Sequence, residues 1–262
     1  MARSVYDGES TNDSVSGGGI MILANVRESL TRDDAQLAVH LLARAGVGRP
    51  DDAEAMLREE GIDAVLDDPR LLGALVQQPL GGRASLPLFC YVVVRHALRG
   101  VGEDDRTLAD YVAAIVVHFG LKDRATRVGA SDDEQYDTLA ALLEDAERSD
   151  PRRAFLVRAH LGNYALWISG LFPDYIEHRK WRRGGPDLDY YAEMGRRGFR
   201  MAADHRLAQQ YGLSQLYLVA AERFERLRVA LNQVSDTLLF PDVNTPDRLL
   251  RQVRDEARWR LS

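Results

Sequence analysis

The sequence predicts an all-α protein, a compact multi-helix array of about eleven helices with no substantial sheet. Three observations lead there. Helix start and stop signals recur in pairs along the chain. No segment keeps the polar–apolar alternation of a half-buried strand. The closing segment carries an apolar stripe at helical spacing.

The chain has 262 residues, 45% of them hydrophobic and 28% charged, with a formal net charge of -6. That composition supplies a core and excludes both a wholly disordered chain and a strongly basic nucleic-acid protein. No apolar run approaches the roughly 18–20 residues needed to span a bilayer, so integral membrane association is not expected. Residues 1–20 are rich in Ser, Thr, Asn, Asp and Gly, end near Gly17-Gly18-Gly19, and read as a flexible N-terminal tail without the order of a secretory signal. Cytoplasmic location is the default expectation. Residues 21–262 read as one all-α domain, with two packed lobes divided near 121–130 as the variant.

The elements follow in order. Thr31 is an N-cap with Asp33 and Asp34 in the first turn, and Leu37, Leu41 and Leu42 form a stripe that ends at Gly46. Pro50 opens a short helix to about residue 60. Asp68-Pro69 caps another that ends near Pro79. Ser85 precedes an apolar helix over 86–98 containing Cys90, and Asp104 or Asp105 opens the next over 107–119. The valine runs at 92–94 and 115–117 are strand-like, yet each lies between helical start and stop signals and is read as buried helix. Ser131 and Glu134 form a capping-box pattern for a helix to about Arg148. Asp150-Pro151 caps a helix to about Phe172, Pro173 starts a short segment, and Gly184-Gly185-Pro186 breaks the chain. Asp187 opens a long helix to about Tyr211, Ser214 a second to Leu238 or Leu239, and Thr245-Pro246 a terminal one. Its Leu249, Leu250, Val253 and Ala257 share a face, with Trp259 near the end.

Charge divides unevenly. Residues 1–150 hold 15 Lys plus Arg against 27 Asp plus Glu, a net of -12, which leaves +6 for the remainder. Attraction between the halves is the simplest consequence. Most acidic runs (Asp51-Asp52, Asp67-Asp68, Glu103-Asp104-Asp105, Asp132-Asp133-Glu134) fall at helix starts, where carboxylates cap backbone donors. The basic residues are almost all Arg, only Lys122 and Lys180 being Lys. The lone Cys90 excludes an internal disulfide and a cysteine zinc site, and its apolar setting marks an inert core thiol.

No Gly-rich phosphate loop, His-Glu-x-x-His, Gly-x-Ser-x-Gly or EF-hand loop occurs, and neither a metal nor a cofactor is expected. Three places could carry function. The apolar 151–172 helix contains Arg158, His160 and Asn163, and His160, Asn163 and Trp167 lie on one face at i, i+3 and i+7. Buried polar groups need partners, so these build either a structural network or a polar pocket. The helix from Asp187 has Gly195, Gly198 and Ala202 in a small-residue row that favours close approach of another backbone. If it packs on 151–172, His160 and His205 reach a shared site, with Asp204 next to His205. The segment 176–183 puts Arg179, Lys180, Arg182 and Arg183 around Trp181, a pattern that can hold phosphate.

The leading functional expectation is a non-enzymatic interaction or regulatory module that binds a protein partner or itself. The first alternative is a small-molecule-binding protein or enzyme with a pocket around His160, Asn163 and His205. The second is a weak nucleic-acid or phosphate binder through 176–183, with nucleic acid disfavoured by the acidic balance.

Overall fold

A computed structural model describes residues 21–46, 50–121, 125–128, 135–136 and 138–260, leaving out the side chains of 50, 51 and 257–260. The 1–20 tail, the Ser131–Glu134 capping box, Lys122 and the side chains of Ala257 and Trp259 lie outside the described residues. The fold is all-α. Among the described residues there are fourteen α-helices and no strand.

They are α1 (Arg32–Arg44), α2 (Pro50–Glu59), α3 (Ile62–Asp67), α4 (Pro69–Gln77), α5 (Leu86–Gly100), α6 (Arg106–Phe119) and α7 (Leu139–Arg148). Then come α8 (Pro151–Leu171), α9 (Pro173–Arg183), α10 (Leu188–Ala203), α11 (Arg206–Gln210), α12 (Ser214–Glu222), α13 (Phe224–Val234) and α14 (Pro246–Arg260). A 3₁₀ turn, Pro79–Arg83, follows α4, and a π-helical turn, Ser235–Leu239, extends α13. Both valine runs are helical, inside α5 and α6.

The caps are where local chemistry places them. Thr31 and Asp34 close a reciprocal capping box. Asp68, Ser85, Asp105, Asp150 and Asp187 each accept from backbone N–H groups of the turn they precede. Three extra helices account for fourteen rather than eleven. The six-residue α3 follows Gly61, at φ 86°, with no side-chain cap, too short to show a period. The 187–211 segment breaks at His205, whose backbone is extended (φ -78°, ψ 139°) and whose ring caps α11. The 214–239 segment breaks at Arg223, which pairs with the buried Glu103. The helix expected from Ser131 starts instead at Leu139 under a Thr138 cap, after a non-helical Gln135 and Tyr136.

Buried apolar residues from Ile22 to Val234 form one cluster. Within it α8 is central, lying against α6, α7, α9, α10, α11 and α13, while α5 packs on α6 and α13. The contact of α8 with α10 is the most extensive and rests on glycine. A Cβ on Gly198 would sit 2.7 Å from the Gly162 nitrogen and 3.0 Å from the Arg158 carbonyl oxygen. One on Gly195 would meet the Phe224 ring at 2.2 Å, and one on Gly162 the Phe199 ring at 2.5 Å. The small-residue row admits backbone and aromatic rings, and thereby fixes where α8 and α10 present their polar side chains.

Not all of the acidic runs serve as caps. Asp67 ends α3 and holds Arg95 and Arg106, Asp104 also pairs with Arg95, and Glu103 with Arg223. Only the last of these joins the acidic first half to the second; the others neutralise arginines within the first half.

Candidate functional site

The polar residues of α8 separate into two groups. His160 and Asn163 face the protein interior because the helix is covered on nearly every side. His160 Nε2 lies 3.1 Å from the Ala125 carbonyl, its ring edge-on to Phe119 at 5.3 Å and parallel to Tyr164 at 6.2 Å. Asn163 Oδ1 accepts from the Tyr111 hydroxyl at 2.5 Å. Burial pushes that phenol well above its ordinary pKa, so it stays a donor. Trp167 packs among Phe119, Tyr164 and Phe172. Further along, Asn232 of α13 donates to the carbonyls of Ser169 and Gly170. These groups tie α8 to α6, α13 and the 125–128 segment, and neither His160 nor Asn163 lines either cleft described below.

The second group faces outward. At the N-terminal end of α8, Arg158, Asp204 and His205 line one cleft of about 750 Å³ together with Arg152, Arg206 and Tyr211. The chain reverses here because His205 leaves the helical conformation and its Nδ1 accepts from Leu207 N at 3.2 Å. Its ring stacks on Phe155 at 5.3 Å. Burial, and then the charges of Arg158 and Arg206, hold the His205 pKa below its usual value. The imidazole is therefore neutral at pH 7. The buried Arg158 Nε has no hydrogen-bond partner among the described residues. Three of the expected site residues, Arg158, Asp204 and His205, thus share a cleft, whereas His160, Asn163 and Trp167 do not reach it, so the expected pocket around His160, Asn163 and His205 is not formed. Arg206 and Tyr211 were not singled out from sequence; no periodicity marks residues that meet at a chain reversal.

The terminal helix docks by its charged side. Arg248, Arg251 and Asp255, at i, i+3 and i+7, turn inward and are buried. Arg248 bonds Asp174 of α9 and the Phe240 carbonyl. Arg251 Nη2 donates to Asp236 Oδ1 at 2.8 Å, and Asp255 accepts from the buried Arg228 at 2.8 Å. Arg228 also donates to Asn232, which joins this network to the α8 carbonyls. Leu249, Leu250 and Val253 consequently point to solvent, 55%, 63% and 65% exposed. A second cleft of about 740 Å³ lies under this helix, beside Gly100, Gln233 and Asp236. The i, i+3, i+7 spacing of charge on α14 was visible in the sequence; that it, rather than the leucine stripe, is the docked side was not.

The basic segment is helical, the last two turns of α9. Ile176 is buried beneath it, and Arg179, Lys180, Arg182 and Arg183 surround a Trp181 that is 74% exposed. Lys180 Nζ lies 3.5 Å from Asp187 just beyond the helix, so this charge pairs locally instead of with the acidic first half. Among the described residues no group of three His, Cys, Asp or Glu side chains is placed to hold a metal ion, and no helix is long and apolar enough to cross a membrane. No protein-family model, curated protein or solved structure matches the chain.

Proposed function

We propose that the protein is an interaction module whose contact element is α14, and that the partner on this face is a second copy of the chain. One observation carries the reading: a helix anchored by its charged side leaves Leu249, Leu250 and Val253 uncovered on the other. Apolar residues grouped on a helix that has already docked have no further role inside the protomer, and burying them removes apolar surface from water. The flanks of the stripe carry both signs, with Asp247 and Glu256 against Arg254. A one-signed rim would select a partner of opposite charge. A mixed rim is compatible with itself in a two-fold contact, where each surface meets its own copy.

One helical face is smaller than the roughly 800 Å² per partner of a standard interface. The association is therefore expected to depend on protein concentration. Sedimentation equilibrium on the wild type and on L250E/V253E is the test. A monomer–dimer equilibrium that disappears in the variant, with helical content unchanged, is the expected result. Wild-type protein that stays monomeric at all accessible concentrations refutes the second-copy assignment. A dimer that survives L250E/V253E places the interface elsewhere and removes α14 from it.

A further inference from the structure

The cleft between the first turns of α8 and the α10–α11 corner has features that association through α14 does not use. It holds three arginines, Arg152, Arg158 and Arg206, against the carboxylates of Asp150 and Asp204. Asp150 is already engaged, accepting from Arg152 N and Arg153 N as the cap of α8. The cleft is thus net cationic before any ligand arrives.

Arg158 is the unusual member. The other arginines sunk into this protein are paired with carboxylates: Arg95 with Asp67 and Asp104, Arg228 with Glu225 and Asp255, Arg248 with Asp174, Arg251 with Asp236. Arg158 is half-buried, lines the cleft and makes no ion pair with a carboxylate among the described residues; its shielded Nε is without an acceptor, as are single nitrogens of Arg27, Arg95, Arg152 and Arg251. A partly desolvated guanidinium without a carboxylate partner is costly, and a carboxylate or phosphate oxygen reaching its open edge is the acceptor its planar fork matches best. Arg206, exposed at the start of α11 and lining the same cleft, supplies a second fork. Tyr211, Met201 and Leu207 add an apolar and aromatic side. A volume of about 750 Å³ is within the range of sites that take small molecules.

We propose that this cleft binds a small molecule through a multiply charged oxyanion group, phosphate or carboxylate, held by Arg158 and Arg206. His205 is the built-in reporter. The groups that face it are Arg158 from α8, Arg206 from α11, the neighbouring Asp204 and the stacked ring of Phe155. Two of these are cations that disfavour its protonation. An anion seated between them reverses that field, so ligand binding raises the His205 pKa.

The experiment is an NMR titration of histidine side chains at low ionic strength, with the His205 resonance assigned by H205N. Inorganic pyrophosphate and citrate are the probes, and sodium chloride at matched ionic strength is the control. A saturable shift of the His205 signal with an upward move of its pKa is expected from at least one probe. The probe that gives it distinguishes phosphate from carboxylate chemistry. R158Q and R206Q are each expected to weaken that probe roughly tenfold or more, about what one charge-assisted bond contributes, whereas R197Q at an exposed position of α10 leaves it unchanged. R206Q, at an exposed position, keeps the test valid if R158Q fails to fold. The proposal is overturned if neither probe moves His205, if sodium chloride moves it equally, or if R206Q binds as the wild type does.

Discussion

Replacing Gly198 by alanine tests the packing that positions both polar clusters of α8. In isolation the change favours a helix, by about 1 kcal/mol relative to glycine in its interior. In place it does the reverse. The added methyl would stand 2.7 Å from the Gly162 nitrogen, 3.0 Å from the Arg158 oxygen and 3.1 Å from Leu161 Cγ. Ordinary contact begins at 3.4 Å, so the shortfall against α8 backbone is roughly 0.7 Å. Backbone in a packed helix has no rotamer to yield, and the two helices must move apart along their most extensive contact. Overpacking of this kind costs about 1–3 kcal/mol or more. The net expectation is a loss of about 2 kcal/mol after the propensity gain. Gly73→Ala is the matched control: this helical glycine of α4 has nothing within 4 Å of its Cβ direction, and a gain of up to about 1 kcal/mol is expected. Urea unfolding followed by circular dichroism measures both. If Gly198→Ala is as stable as the wild type, or if both substitutions change stability in the same direction, the backbone contact between α8 and α10 is wrong.

Three further outcomes are expected. Asp236→Ala removes an acceptor shared by Arg251 and Gln252 and leaves Arg248 with Asp174. Breaking a buried pair costs about 3 kcal/mol at the low end, and hydrogen exchange across α14 should speed up; unchanged protection would show that the arginines do not hold the helix. Burial opposes ionisation of Asp67, but hydrogen bonds from Arg95 and Arg106 outweigh it and lower its pKa from 3.8 to about 2. Because the folded value is the lower one, the stabilisation, roughly 2 kcal/mol, is complete above the unfolded pKa and is lost as pH falls through about 2. The stability gap between wild type and Asp67→Asn should therefore narrow from about pH 4 downward; a constant gap contradicts the assignment. Burial pushes the Cys90 thiol up to about 11, so a disulfide reagent should modify it only at the rate of global unfolding, and rapid labelling of the native protein would refute its placement in the core.

Much of the fold was legible because helix ends have local chemistry. Thr31, Asp68, Ser85, Asp105, Asp150 and Asp187 satisfy backbone donors two or three residues away, an interaction with no need of the rest of the chain. The same locality explains the misses. His205 and Arg223 break helices that carry no Gly or Pro at those points. His205 gains a stack on Phe155 and Arg223 a partner in Glu103, both distant in sequence. For the candidate site, glycine on α10 implies close approach to α8, and the sequence pairs His160 with His205 on that basis; the structure instead brings Arg158, Asp204 and His205 onto one cleft. Helical spacing puts His160 and Asn163 on one face with Trp167, yet the partners of the first two, Ala125 and Tyr111, come from other elements and close them off.

The capped helix starts and the amphipathic character of the terminal segment were thus determined by the sequence itself, since caps and periodicity are short-range properties, whereas the breaks at His205 and Arg223 were not. Which side of that segment faces inward was decided only by the tertiary structure. Both a leucine stripe and an Arg248–Arg251–Asp255 stripe were available. Asp174 and Asp236 lie beneath the helix, and docking the leucines there would leave those carboxylates desolvated without a cation, a heavier penalty than leaving three apolar side chains in water. The apolar face was therefore turned outward.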